Sequence, residues 1–185
     1  MNRRILFYCV LGALACYGSD NTRTDSNSTV SEHTASENMV SDLPQFKSIA
    51  DGIRSAATAD LYEGLPHQLF EHDAFNNELA TKKIVQLHGF LFYEHPLAIG
   101  AEDVERLRQL SAAPESYRRY GGPKPCGGFH PDYALVWKDG ERTYDLLVCF
   151  GCEEVQLHGL QQELMVEIAS GEFSTILGKY RSQRP

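Results

Sequence analysis

The Asp139-Gly140 dipeptide between the apolar runs "YALVW" and "TYDLLVCF" constrains this chain more than any other feature. Asp-Gly flanked by alternating apolar residues is a strong short-range signal for a β-hairpin, and it predicts two antiparallel strands over residues 132–150. With Asp139 and Gly140 as a two-residue turn, Leu135 stands opposite Tyr144 and Tyr133 opposite Leu146. Together with Trp137 and Val148 these side chains form one apolar face, and Ala134, Val136, Thr143 and Asp145 form the other. A hairpin with one face this apolar needs a layer to cover it. The expected fold is α+β, a small antiparallel sheet built on the hairpin with helices packed on one face.

Extended toward its open end, the same register sets His130 opposite Cys149 and Cys126 opposite Glu153, one residue from Cys152. Pro131 has no N–H to give, so the ladder should begin near Asp132 and leave Cys126 and His130 in a glycine-rich approach loop. Three readings follow for Cys126, His130, Cys149 and Cys152. A C-x3-H and a C-x2-C segment can close a tetrahedral Cys3His shell around zinc. An exported chain would instead join two of the cysteines, with Cys126–Cys152 and Cys126–Cys149 the candidate pairs. The third reading is redox chemistry at Cys149-Phe150-Gly151-Cys152. It lacks the helix N-terminus that activates such a thiol, and Glu153 and Glu154 follow instead. Zinc is preferred here because it uses all three sulfurs and gives His130 a role.

The beginning of the chain carries a different message. Arg3 and Arg4 precede an apolar run from Ile5 to Ala15, too short to span a bilayer and of signal-peptide length. The run ends Ala13-Leu14-Ala15-Cys16, which resembles the lipobox of bacterial lipoprotein precursors. That resemblance implies a signal peptide over residues 1–15 and a lipid on Cys16, as the new N-terminus. Residues 16–42 are then the lipidated cysteine and a tether of Ser, Thr, Asn, Asp and Glu that has little to bury. A single α+β domain should occupy 43–185.

Loss of Arg3 and Arg4 from the 17 basic residues leaves 15 against 25 acidic ones, a net charge of −10. Such a surface repels phosphate backbones and anionic headgroups, so no nucleic-acid partner is expected and the membrane is met only through the lipid. The protein or small-molecule partner is left open.

Elsewhere, Phe46, Ile49 and Ile53 predict a helix, and "KKIVQLHGFLFYEHP" reads as a strand ended by Pro96. Val104, Leu107 and Leu110 mark a helix over "AEDVERLRQLSAAP", on which Glu102 can reach Arg106. Phe173, Ile176, Leu177 and Tyr180 mark another behind Ser170. His67 and His88 could serve as acid-base or ligand groups near the cluster, but isolated histidines beside apolar residues read first as rings hydrogen-bonded in place, and Glu63, Glu71 and Glu94 have no spacing that marks a carboxylate pair. No nucleophile elbow, phosphate loop, dinucleotide fingerprint or H-E-x-x-H is present, so no catalytic residues are assigned.

The segments "LYEGLPHQ" (61–68), "CGGFHPDYALVW" (126–137), "CFGCEEV" (149–155) and "KYRSQRP" (179–185) resemble an uncharacterised family of exported bacterial proteins and lipoproteins. The similarity covers roughly residues 58–185. It implies an exported α+β domain in which Cys126, His130, Cys149 and Cys152 recur as a set, and it carries no reaction with it. The expected function is a lipid-anchored, extracytoplasmic binding or structural module in the bacterial cell envelope, its Cys/His cluster stabilising the fold through zinc or a disulfide. The alternative is a thiol- or metal-dependent enzyme, or a redox protein, using the same cluster.

Overall fold

The fold is seen in a computed structural model that describes residues 40–184. The expected signal peptide, Cys16 and nearly all of the tether lie outside the described residues. Among the described residues no helix is long and apolar enough to cross a membrane. In chain order the elements are α1 (Pro44–Ser55), β1 (Thr58–Glu63), α2 (His72–Thr81), β2 (Ile84–Leu87), β3 (Phe90–Tyr93), α3 (Ala101–Ala112), β4 (Tyr117–Arg119), β5 (Tyr133–Asp139), β6 (Arg142–Cys149), β7 (Glu154–Gly159), β8 (Gln162–Ile168) and α4 (Glu172–Leu177). Strands β5 to β8 form a meander, extended by β1 beside β5 and by β4 beside β8. All pairings in this six-stranded sheet are antiparallel. The α+β class is as the sequence predicts.

The β5–β6 hairpin forms, with its turn moved one residue along. Asp139 pairs with Arg142, so Gly140 and Glu141 make the turn, and Leu135 faces Leu146 instead of Tyr144. Gly140 has φ 63° while Glu141 keeps an ordinary negative φ, the requirement of a type II′ turn with glycine first. Each partner shifts by two residues, which is one full period of a strand, so every side chain stays on its expected face. The expected single strand from Lys82 is likewise a hairpin, β2 and β3, turned at His88 (φ 49°) and Gly89 (φ 89°).

The face bearing Tyr133, Leu135, Trp137, Tyr144, Leu146 and Val148 packs under α1, α3 and α4, contributing Phe46, Ile49, Leu107, Phe173 and Leu177 among others. Helix α2 does not join them. It packs through Phe75 with Leu65 and Tyr93, next to the two-stranded sheet. Phe92 of that sheet in turn covers Ala134 and Leu147 on the opposite face of the main sheet. The packed body reaches upstream to Val40, which is fully buried in the main core. Arg106 meets Glu172 of α4 at 2.5 Å, a contact between helices instead of the local pair expected with Glu102.

Gly52 inside α1 has a packing reason. A Cβ there would lie 2.0 Å from the ring of Tyr144, which is 2% exposed and hemmed in by the core. Gly52→Ala is therefore expected to destabilise the protein by about 2 to 3 kcal/mol, although alanine is the better helix former. Equilibrium urea unfolding measures this, and a neutral or stabilising result would show that the ring can move.

Candidate functional site

Cys126, His130, Cys149 and Cys152 all line one cavity of about 320 Å³ at the β6–β7 end of the main sheet. The hairpin brings them there as the sequence predicts, with Asp132 N–H donating to the Val148 carbonyl at 2.7 Å just before β5 starts. Cys126 and Cys152 are joined, with S–S 2.06 Å and Cα–Cα 5.8 Å across a sequence separation of 26. Cys149 is free and 3% exposed. A Cys3His zinc shell requires both bridged sulfurs as thiolates, so the four-donor set belongs to the reduced protein and not to the arrangement seen here. Among the described residues no group of three or more His, Cys, Asp or Glu is arranged to hold a metal ion.

The His130 ring is engaged by other partners. Its Nε2 lies 2.9 Å from the Leu65 carbonyl, and its ring centroid is 4.5 Å from that of His67. Burial pushes the pKa of His130 below its ordinary value, which keeps the ring neutral. The Cys149 sulfur accepts the Cys152 backbone N–H at 3.4 Å and a backbone hydrogen bond from His130. Burial still pushes this thiol up, so it is not a standing nucleophile at neutral pH.

His67, expected to be a histidine held locally, is both held and part of the site. Its Nδ1 accepts the backbone N–H groups of Leu69 (3.1 Å) and Phe70 (3.4 Å), which places the proton of the neutral ring on Nε2. That Nε2 lies buried at the cavity with no hydrogen-bond partner. Leu69 and Phe70, 67% and 70% exposed, follow directly. The cavity thus offers one N–H donor beside an apolar ring and a disulfide, and it suits a small group that accepts a hydrogen bond.

The rest of the site is an acidic frame around Arg184, whose side chain is 7% exposed. Its Nη1 meets Asp132 at 2.7 Å and its Nη2 meets Glu71 at 2.8 Å. Asp132 also accepts the Phe150 N–H at 2.8 Å, and Glu71 accepts the His67 N–H at 2.8 Å. That backbone bond is the largest influence holding the Glu71 carboxyl below the usual range; burial opposes it, and Arg184 adds to the lowering. Glu63, fully buried, accepts the backbone N–H groups of Ser182 (3.1 Å), Gln183 (2.7 Å) and Arg184 (3.3 Å). The four segments singled out in the sequence are therefore tied together physically.

Glu63, Glu71, Asp132 and Arg184 were not expected in the site. The visible signal was that they fall within or beside those same four segments. His88 belongs to a separate cluster near the start of β6, against Asp145 and His158. Comparison with protein-family models, with curated proteins and with solved structures finds no match for this chain.

Proposed function

We propose that this chain is an exported, lipid-anchored module whose folded body acts in binding, its site end pinned by the Cys126–Cys152 bridge. The observation that carries this reading is that bridge. It ties the glycine-rich loop before β5 to the β6–β7 turn, and covalent pinning of that kind persists in oxidising compartments outside the cytoplasm. The signal-like start and the Cys16 lipobox point the same way, and so does the resemblance to exported bacterial lipoproteins. The cavity at the bridge, with the unpartnered Nε2 of His67, is where a small hydrogen-bond acceptor would sit. A reactive-thiol enzyme fits less well, because Cys149 is buried and its thiol is pushed up. Structural zinc remains the counterpart for a reduced chain, held by Cys126, His130, Cys149 and Cys152.

Fractionation of a bacterial host tests the anchoring. Wild-type protein is expected in the membrane fraction with an acylated Cys16, and Cys16→Ser protein in the aqueous phase or unprocessed. Wild-type protein that is soluble, with an unmodified mature N-terminus, would overturn the anchor and the compartment together.

A further inference from the structure

A second cavity, of about 340 Å³, opens beside the start of β6, where the β2–β3 and β7–β8 turns meet the sheet. Its floor is a cross-strand row. Asp145 on β6 pairs with His158 on β7, which pairs with Glu163 on β8. His88 leans in from the β2–β3 turn, its Nε2 2.7 Å from Asp145 Oδ2 and its ring stacked on His158 at 3.7 Å and 9°.

Two buried polar atoms in this cluster have no hydrogen-bond partner. Asp145 is 7% exposed and its Oδ1 is buried with no hydrogen-bond partner, while its Oδ2 is held by His88. His158 Nε2 is likewise buried and unpartnered. A buried carboxylate oxygen without a donor is costly, and buried polar groups ordinarily have partners. No Lys or Arg lines the cavity, and Lys138, a cation that acts on Asp145, is engaged by Asp60 at 2.5 Å. Burial and then His88 push the His158 pKa down to about 4, so that ring is uncharged at neutral pH. The walls are also conformationally costly. His88 (φ 49°), Leu160 (φ 53°) and Gln161 (φ 62°) hold left-handed backbone without being glycine, and such strain gathers at functional sites.

From this we infer that the cavity is a binding site for a small organic cation carrying a primary ammonium group, which donates to Asp145 Oδ1 and to His158 Nε2. Asp145 supplies the charge, and the neutral His158 ring supplies a lone pair in the tautomer that carries its proton on Nδ1, which this binding mode requires. Glu163 and Thr143 stand at the cavity for the remaining ammonium hydrogen. A metal ion suits the cluster less well, because in-plane lone pairs of two stacked, nearly parallel imidazoles run side by side and do not converge on one point. This site is independent of the compartment and of the cavity at the disulfide.

The test is a titration of the isotope-labelled chain with butanediamine, and separately with butanediol, reading the histidine ring resonances by NMR. The diamine is expected to shift His158 and His88 saturably, and the neutral diol of the same length to leave them in place. Asp145→Asn should weaken diamine binding roughly tenfold or more, the effect of losing a charged hydrogen bond. His158→Gln is read in the same way if Asp145→Asn fails to fold. An absent diamine response, an equal response to the diol, or a response unchanged in the variants would overturn the inference. So would zinc displacing the diamine while holding both rings.

Discussion

Removing the bridge with the pair Cys126→Ala and Cys152→Ala is expected to cost about 3 to 4 kcal/mol, the loop-closure value for a cross-link of this span. For a body of this size that lowers the melting temperature by roughly 10 °C. The loop it releases carries Gly127, whose missing Cβ lets the Phe70 ring lie close, so the same change should loosen the cavity wall around His67. Thermal unfolding of the wild type with and without reductant, beside the double variant, measures the effect. Reductant should bring the wild type down toward the variant and leave the variant unmoved. Identical melting in all cases would mean that the bridge contributes nothing to stability.

Arg184→Met is expected to cost about 3 kcal/mol, the low end for breaking a buried ion pair, because Glu71 keeps some contact with water. The variant strands Asp132 beside Glu71 without their shared cation, in a place Arg184 fills at 7% exposure. It also has a pH signature. The Glu71 carboxyl is held below its ordinary 4.5, so its contribution is fully present above that pH and fades as pH falls through the lowered value. Without Arg184 the lowering shrinks, and the acid limb of the stability profile should become shallower. Urea unfolding from neutral pH down into the carboxylate range checks both, and superimposable profiles for the two proteins would remove Arg184 from the frame.

Much of the main sheet was legible because strand patterning is tolerant in one specific way. The turn at Gly140-Glu141 sits one residue beyond the expected Asp139-Gly140, yet Leu135, Trp137, Tyr144 and Leu146 share their predicted face because the partner shift is a whole strand period. The convergence of Cys126, His130, Cys149 and Cys152 was legible for the same reason, since both ends of one hairpin carry them. Helix α2 gave little signal: Phe75 is its buried apolar side chain, while Leu79 is 45% exposed. Strand β8 follows a turn made by Leu160 and Gln161, without the Gly, Asn or Asp that advertises one. Glu63 and Arg184 meet across 121 residues, and no local spacing can announce a contact that only the assembled sheet creates.

The three sulfurs at the cavity are divided as one bridge and one buried thiol. Protein recovered from its host without reductant can be denatured with an alkylating agent and a chelator present, digested, and mapped by mass spectrometry. The expected result is a Cys126 peptide linked to a Cys152 peptide, alkylation at Cys149, and no zinc released. Alkylation of Cys126, Cys149 and Cys152 alike, with one zinc released per chain, would contradict it and return the site to a Cys3His metal centre.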